Sequence, residues 1–214
     1  MRSDGDVLDP VLHRLRADPG PTAAEWCRAP GASSRVRATV APSGVVLEAR
    51  GGSPAYLPAS PTALPVRPRS VDRIALPLVL PLLPDMDGLF AEMRRVLAPH
   101  GLLSLMVPAP VSLGWRERGL TRAVRGAWRH RSAVEHPEWL ASSADFAVLA
   151  DDRLGFVLDV PAVDGAGRER RHDIDLLCRA GVYPPDLPDD VRDSLAAHRS
   201  AAHRVRLRRI VARR

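Results

Sequence analysis

Between Trp115 and Arg131 the chain reads WRERGLTRAVRGAWRHR, with arginines recurring beside Trp115 and Trp128. Guanidinium forks pair with phosphate or carboxylate oxygens and an indole face stacks on planar groups, so this mixture has the chemistry to hold an anion. The plainer reading, which the pattern favours, is a solvated arginine-rich helix with its tryptophans against the core. Other groups able to do chemistry are sparse. His130 and His136 stand six apart and His198 and His203 five apart, neither pair with a carboxylate or cysteine at ligand spacing, so no metal is expected. Cys27 and Cys178 are distant, lack a CxxC and read as ordinary buried or half-buried thiols. No G-x-S-x-G, Walker A or Cys/His nucleophile arrangement occurs.

Composition bounds what these residues serve. With 214 residues, 45% of them hydrophobic and 26% charged, the chain suits one soluble domain with a real core. The longest apolar run, Ile74 to Leu83, carries Pro77 and Pro81 and falls short of the roughly 18 to 20 residues that span a bilayer. The opening MRSDGDVLDP has acidic residues where a secretory signal needs an apolar core, so a cytoplasmic home without membrane contact is expected. The net charge is +6, and the chain has no lysine, asparagine or glutamine. Such a bias suggests a GC-rich coding sequence, which weakens any inference from arginine count alone. A basic chain permits anionic partners. Nucleic acid ranks behind a small-molecule substrate or a protein partner.

Several elements must position these groups. Asp9 to Ala17 places Val11, Leu12 and Leu15 at helical spacing, with Asp9 as N-cap and Pro10 at the first turn. Thr22 to Cys27 predicts a second short helical turn with Trp26 inward. Arg35 to Val40 and Gly44 to Ala49 have strand character, and the Ala41-Pro42-Ser43 gap suits a hairpin, not a crossover of about a dozen residues. Gly51 to Pro68 reads as mostly irregular. Ser70 to Leu80 predicts a buried strand with Pro77 at its end. A helix capped by Asp85 or Asp87 follows, with Leu89, Phe90, Met93, Val96 and Leu97 on one face. Pro99, His100 and Gly101 stop it, and Leu102 to Val107 is the next strand. Pro137 to Ser142 reads as helix or turn, and AVLADD and GFVLDV within 146–160 as two strand pieces. Asp173 to Ala180 and Asp190 to Ala202 read as helices, and His203 to Arg213 as a terminal strand. Arg204, Arg206, Arg208, Arg209, Arg213 and Arg214 are expected to flank an edge or near-edge position.

The stretch from Ala63 to Pro110 carries a resemblance. Leu64-Pro65, Ser70-Val71-Asp72, Leu82-Leu83-Pro84-Asp85, then Leu89, Glu92, Arg95-Val96-Leu97, Pro99 and Gly101 follow one another in an order and spacing similar to the class I S-adenosylmethionine-dependent methyltransferases, especially the type 11 group. The resemblance continues more weakly into the C-terminal strands. It implies an α/β fold, a Rossmann-like, mostly parallel sheet flanked by helices, with a reduced N-terminal half and an antiparallel C-terminal strand. The expected layout is a single domain: a helical extension over 1–34, the core over 35–110, a cover segment over 111–142, and C-terminal strands and helices over 143–214. The function implied is methyl transfer from S-adenosylmethionine to an unknown small molecule. The alternative is a catalytically inactive relative serving as a binding or protein-interaction module.

The resemblance also implies where a cofactor would sit. The family has a glycine-rich turn after the first strand and an acidic residue ending the second. The residues carried over are Glu48, Gly51, Gly52, Ser60 and Leu64. Two placements stay open: Val46 to Pro54 as that turn, with Arg50 and Pro54 replacing glycines, or Arg35 to Gly44 as first strand and turn, with Glu48 as ribose acceptor. The second leaves no room for a helix between the strands. Ser60 stands near a position that is often acidic in the family, and Pro81-Leu82 where many members have histidines.

Overall fold

The computed structural model describes residues 10–28, 35–159, 166–198 and 204–214. Among these, one sheet holds eight strands: β1 (Leu15–Arg16), β2 (Val36–Ala41), β3 (Gly44–Ala49), β4 (Ala55–Pro58), β5 (Val71–Pro77), β6 (Leu97–Pro108), β7 (Ala147–Leu158) and β8 (Arg204–Arg213). They lie in the order β1-β7-β8-β6-β5-β2-β3-β4. The helices are α1 (Pro10–Arg14), α2 (Ala23–Cys27), α3 (Met86–Val96), α4 (Arg118–Gly126), α5 (Arg131–Glu135), α6 (Pro137–Ser143), α7 (Ala166–Arg179) and α8 (Asp189–Ala197).

The centre is β5–α3–β6. Ile74, Ala75, Leu76 and Pro77 are all buried, as a strand with neighbours on both edges and helices on both faces requires. Pro77 ends the strand, and Leu78 turns the chain at φ 55 while its N–H donates to the Met106 carbonyl at 2.8 Å. Asp85 caps α3, its Oδ1 accepting the Gly88 N–H at 2.8 Å. Leu89, Phe90, Met93 and Val96 bury one face of that helix, each contributing about 2 kcal/mol of apolar burial. Leu97 is already extended, and Pro99 forbids further helix. β5 and β6 then pair in parallel from Arg73↔Leu102 to Pro77↔Met106.

Strand alternation divides the core. Leu105 of β6 joins Leu76, Leu89, Met93 and Ile210 on the face covered by α3, α5 and α6. Met106 joins Leu12, Phe156, Leu177 and Leu207 on the face covered by α1, α2, α7 and α8. On that side Thr22 and Glu25 form a capping box that starts α2, and Trp26 tilts against Phe156 with ring centroids 5.4 Å apart.

The α/β class and flanking helices are as the sequence implies, and the sheet is more mixed. Parallel pairing joins only β2, β5 and β6; the other five junctions are antiparallel. Strand direction is nonetheless shared by β2, β4, β5, β6 and β7. β2 passes to β3 through Pro42-Ser43 without a helix. Four expectations need correction. The segment read as irregular contains β4, because an edge strand tolerates Pro58 where a central one would not. AVLADD and the GFVL of GFVLDV lie in one strand, β7, whose pairing with β8 runs without a break from Ala150 to Val157. The first helix stops at Arg14, because Leu15 pairs with Leu158. The terminal strand, expected at an edge or near-edge position, is third in the order and paired on both sides: β8 lies between β6 and β7, and Arg208 and Arg209 meet Asp151 and Asp152 of β7 instead of guarding an open edge. Asp9, the expected N-cap of α1, residues 199–202 of the last expected helix and His203 of the expected terminal strand lie outside the described residues.

Candidate functional site

The residues carried over by resemblance do not converge. Because β3 runs antiparallel to β2, Glu48 pairs with Arg37 near the start of β2. Gly51 and Gly52 turn at that same end, where the Arg50 N–H donates to the Arg35 carbonyl at 2.9 Å. This is the end from which β2, β5 and β6 begin. Gly51 has φ 77, yet a Cβ there would meet nothing within 4 Å, so the glycine serves the turn and not a close approach. Ser60 follows β4 at the opposite, C-terminal edge, its Oγ 2.9 Å from Thr62 Oγ1. Leu64 is buried, and its N–H donates to Glu92 Oε1 at 2.5 Å.

A donor cradle in this fold requires glycines after the C-terminal end of its first parallel strand. After β2 stand Pro42, Ser43 and Gly44, a hairpin whose Ser43 carbonyl accepts from Tyr56 Oη at 3.0 Å. A Cβ on Gly44 would lie 2.6 Å from the Leu57 carbonyl, so Gly44 makes room for β4 and not for a ligand. These residues do not fit S-adenosylmethionine, and no contact with it is assigned to them.

Clefts open instead at the C-terminal edge of β6. One of about 680 Å³ is lined by Ser112, Trp115, Arg118, Thr121, Arg122 and Arg125 among others. Another, about 430 Å³, lies beside Pro110, Arg153, Leu154, Arg206 and Arg208. A small one between them shares Pro110 and Arg206 with the second and Ser112 with the first. On α4, Arg118, Thr121, Arg122 and Arg125 recur at one-turn spacing and share a face, while Val124 is buried on the other. Trp128 packs inward as expected. Trp115 does not: it is 71% exposed, with the Arg116 guanidinium 5.4 Å from its ring centroid.

Carboxylates fix the floor of this edge. Glu135 accepts from Arg125 Nε at 2.8 Å and pairs with Arg131 Nε at 2.8 Å. Burial would raise its pKa, but hydrogen bonds from Arg131 and Arg125 outweigh that and hold it below the usual carboxylate range. Arg208, only 4% exposed, reaches Asp151 with Nε at 2.7 Å and Nη2 at 2.6 Å, and Glu138 with Nη2 at 2.9 Å. Its hydrogen bonds hold the Asp151 carboxyl below its ordinary pKa. The sequence carries the signal for this network, an Asp-Asp pair and an Arg-Arg pair, but only the β7–β8 register shows that they meet.

Residues 14–105 match a family model described as "Methyltransferase domain". That segment, a little under half of the chain, is similar to methyltransferase domains. Among solved structures, a methyltransferase candidate from Bacillus halodurans aligns at 11% identity, covering 73% of this chain and 69% of that one, with a TM-score of 0.44. The YcgJ protein from Bacillus subtilis aligns at 16% identity over 73% of this chain and 69% of its own, with a TM-score of 0.41. No curated protein matches. The methyltransferase match ends at Leu105, so the cleft-forming segment from Ser112 to Arg131 lies outside it. Among the described residues no group of three His, Cys, Asp or Glu stands where it could hold a metal ion, and no helix is long and apolar enough to cross a membrane.

Proposed function

We propose that this chain is a methyltransferase-family enzyme that takes a small-molecule acceptor at the C-terminal edge of β6, with S-adenosylmethionine as the methyl donor. One observation carries the reading: the match of residues 14–105 to the methyltransferase domain, which includes the β5–α3–β6 unit. The clefts around Pro108 to Arg131 support the acceptor's location, since ligands of open α/β sheets bind outside the carboxyl ends of the strands. The residues after β2 do not supply the donor's contacts. The Pro42-Ser43 hairpin favours a second reading, a relative that keeps the scaffold as a binding module for a small molecule or a protein partner.

Calorimetric titration of the full chain with S-adenosylmethionine and, separately, S-adenosylhomocysteine tests the first reading. Saturable binding of either supports it. No heat at millimolar ligand, from protein whose circular dichroism shows it folded, overturns it in favour of the second.

A further inference from the structure

The cleft beside α4 has a charge balance that the fold alone does not require. Four arginines line it, Arg118, Arg122, Arg125 and Arg131. Arg125 and Arg131 are both engaged by Glu135. Arg118 and Arg122 have no acidic partner within 4 Å among the described residues, and they stand one turn apart on one helix face. Other arginines meet carboxylates: Arg208 pairs with Asp151, Arg209 with Asp152, and Arg171 and Arg192 with Asp175. Two unneutralised guanidinium groups converging on a cleft favour a bound anion with several acceptor oxygens. The hydroxyl groups of Thr121 and Ser112 line the same space and supply further donors.

Trp115 completes the arrangement. A tryptophan left 71% exposed at a cleft rim is a large apolar surface without a protein partner to cover it. Arg116 lies over its ring, leaving the opposite face for a planar group. The cleft volume, about 680 Å³, falls in the range of small-molecule sites.

We propose that this cleft binds an aromatic phosphate monoester, with Arg118 and Arg122 on the phosphate and Trp115 stacked on the ring. Naming this class as the acceptor rests on the proposed function; the binding itself does not.

The test is titration of the full chain with phenyl phosphate, inorganic phosphate and benzyl alcohol, following heat and the fluorescence of the exposed Trp115. Phenyl phosphate should bind, inorganic phosphate more weakly, and benzyl alcohol not detectably. Arg118→Ala with Arg122→Ala, both on the exposed face of α4, should weaken phenyl phosphate at least about tenfold. Trp115→Ala should lower phenyl phosphate affinity and leave inorganic phosphate unchanged. Arg129→Ala, on an exposed residue outside the cleft, should change neither. Unchanged phenyl phosphate binding in the double variant overturns the proposal, as does no binding at millimolar phenyl phosphate by wild type. Tighter binding of a single-stranded oligonucleotide than of phenyl phosphate, lost in the same double variant, also overturns it and assigns the cleft to nucleic acid. Phenyl phosphate binding without S-adenosylmethionine binding defeats the methyltransferase reading alone. The reverse result defeats this proposal alone.

Discussion

Glu92 accepts two hydrogen bonds from Arg95 one turn along α3, Nε to Oε2 at 2.6 Å and Nη2 to Oε1 at 2.7 Å. The pair then grips a neighbouring segment: Arg95 donates to the carbonyls of Leu64 and Val66, and Glu92 Oε1 accepts the Leu64 N–H. The connection into β5 is thereby fastened to the helix that follows it.

Glu92→Gln keeps an acceptor for Leu64 but removes the charge from a buried bond, and should cost about 2 kcal/mol in urea denaturation at pH 7. The Arg95 hydrogen bonds hold the Glu92 pKa below its unfolded value, with burial opposing. The stability this contributes is therefore present above about pH 4.3 and lost as pH falls through the lowered native value. Wild type and variant should converge in acid; a constant difference down to pH 3 would contradict the assignment.

Arg208→Ala strands the Asp151 and Glu138 carboxylates, and should cost about 3 kcal/mol. Arg208→Met combined with Asp151→Leu should cost less than Arg208→Met alone, since the second change removes one stranded charge. A double-mutant cycle by urea denaturation measures the coupling, and strict additivity would show that the pair does not interact.

Gly51 and Gly181 both have φ 77, but a Cβ on Gly181 would sit 2.9 Å from the Leu78 carbonyl while one on Gly51 meets open space. Gly51→Ala should cost about 1 kcal/mol, the backbone strain alone. Gly181→Ala should cost clearly more, about 3 kcal/mol, because the Leu78 turn has to move as well. Equal losses of melting temperature in the two variants would rule out that contact.

Burial pushes the Cys27 thiol up to about 12 and the Cys178 thiol up to about 11. Neither forms thiolate to a useful extent at pH 8. A chromogenic disulfide reagent should find no reactive thiol in native protein and two after denaturant is added. Rapid reaction of either without denaturant would count against the packing of α2 or α7.

Where local chemistry decides the structure, the sequence is legible. Asp85 as cap, the α3 stripe and Pro77 at a strand end all follow from nearest neighbours along the chain. The hairpin after β2 follows from a gap too short for a crossover. The candidate site is less so, because it depends on which end of the sheet each turn reaches. Glu48 and Gly51 have suitable residue types, but the reversal at Pro42-Ser43 carries them to the far end of the parallel strands. The Glu92 and Arg95 of the recognised motif proved to be a clasp on residues 64–66. The pairing of Arg208 with Asp151 spans 57 positions and depends on strand register. Trp115 and Trp128 look alike in sequence, and only tertiary packing separates an exposed indole from a buried one.

The position of β8 between β6 and β7 sets a timetable for synthesis. Both neighbours are translated before it, β6 about a hundred residues earlier, and each must wait with one hydrogen-bonding edge open. A nascent chain that has not yet released residues 204–213 from the ribosome can hold the β5–β6 pair but not join it to β7. Closure of the sheet therefore waits on the last of its strands in chain order, and until then the open edges of β6 and β7 are exposed to wrong pairing.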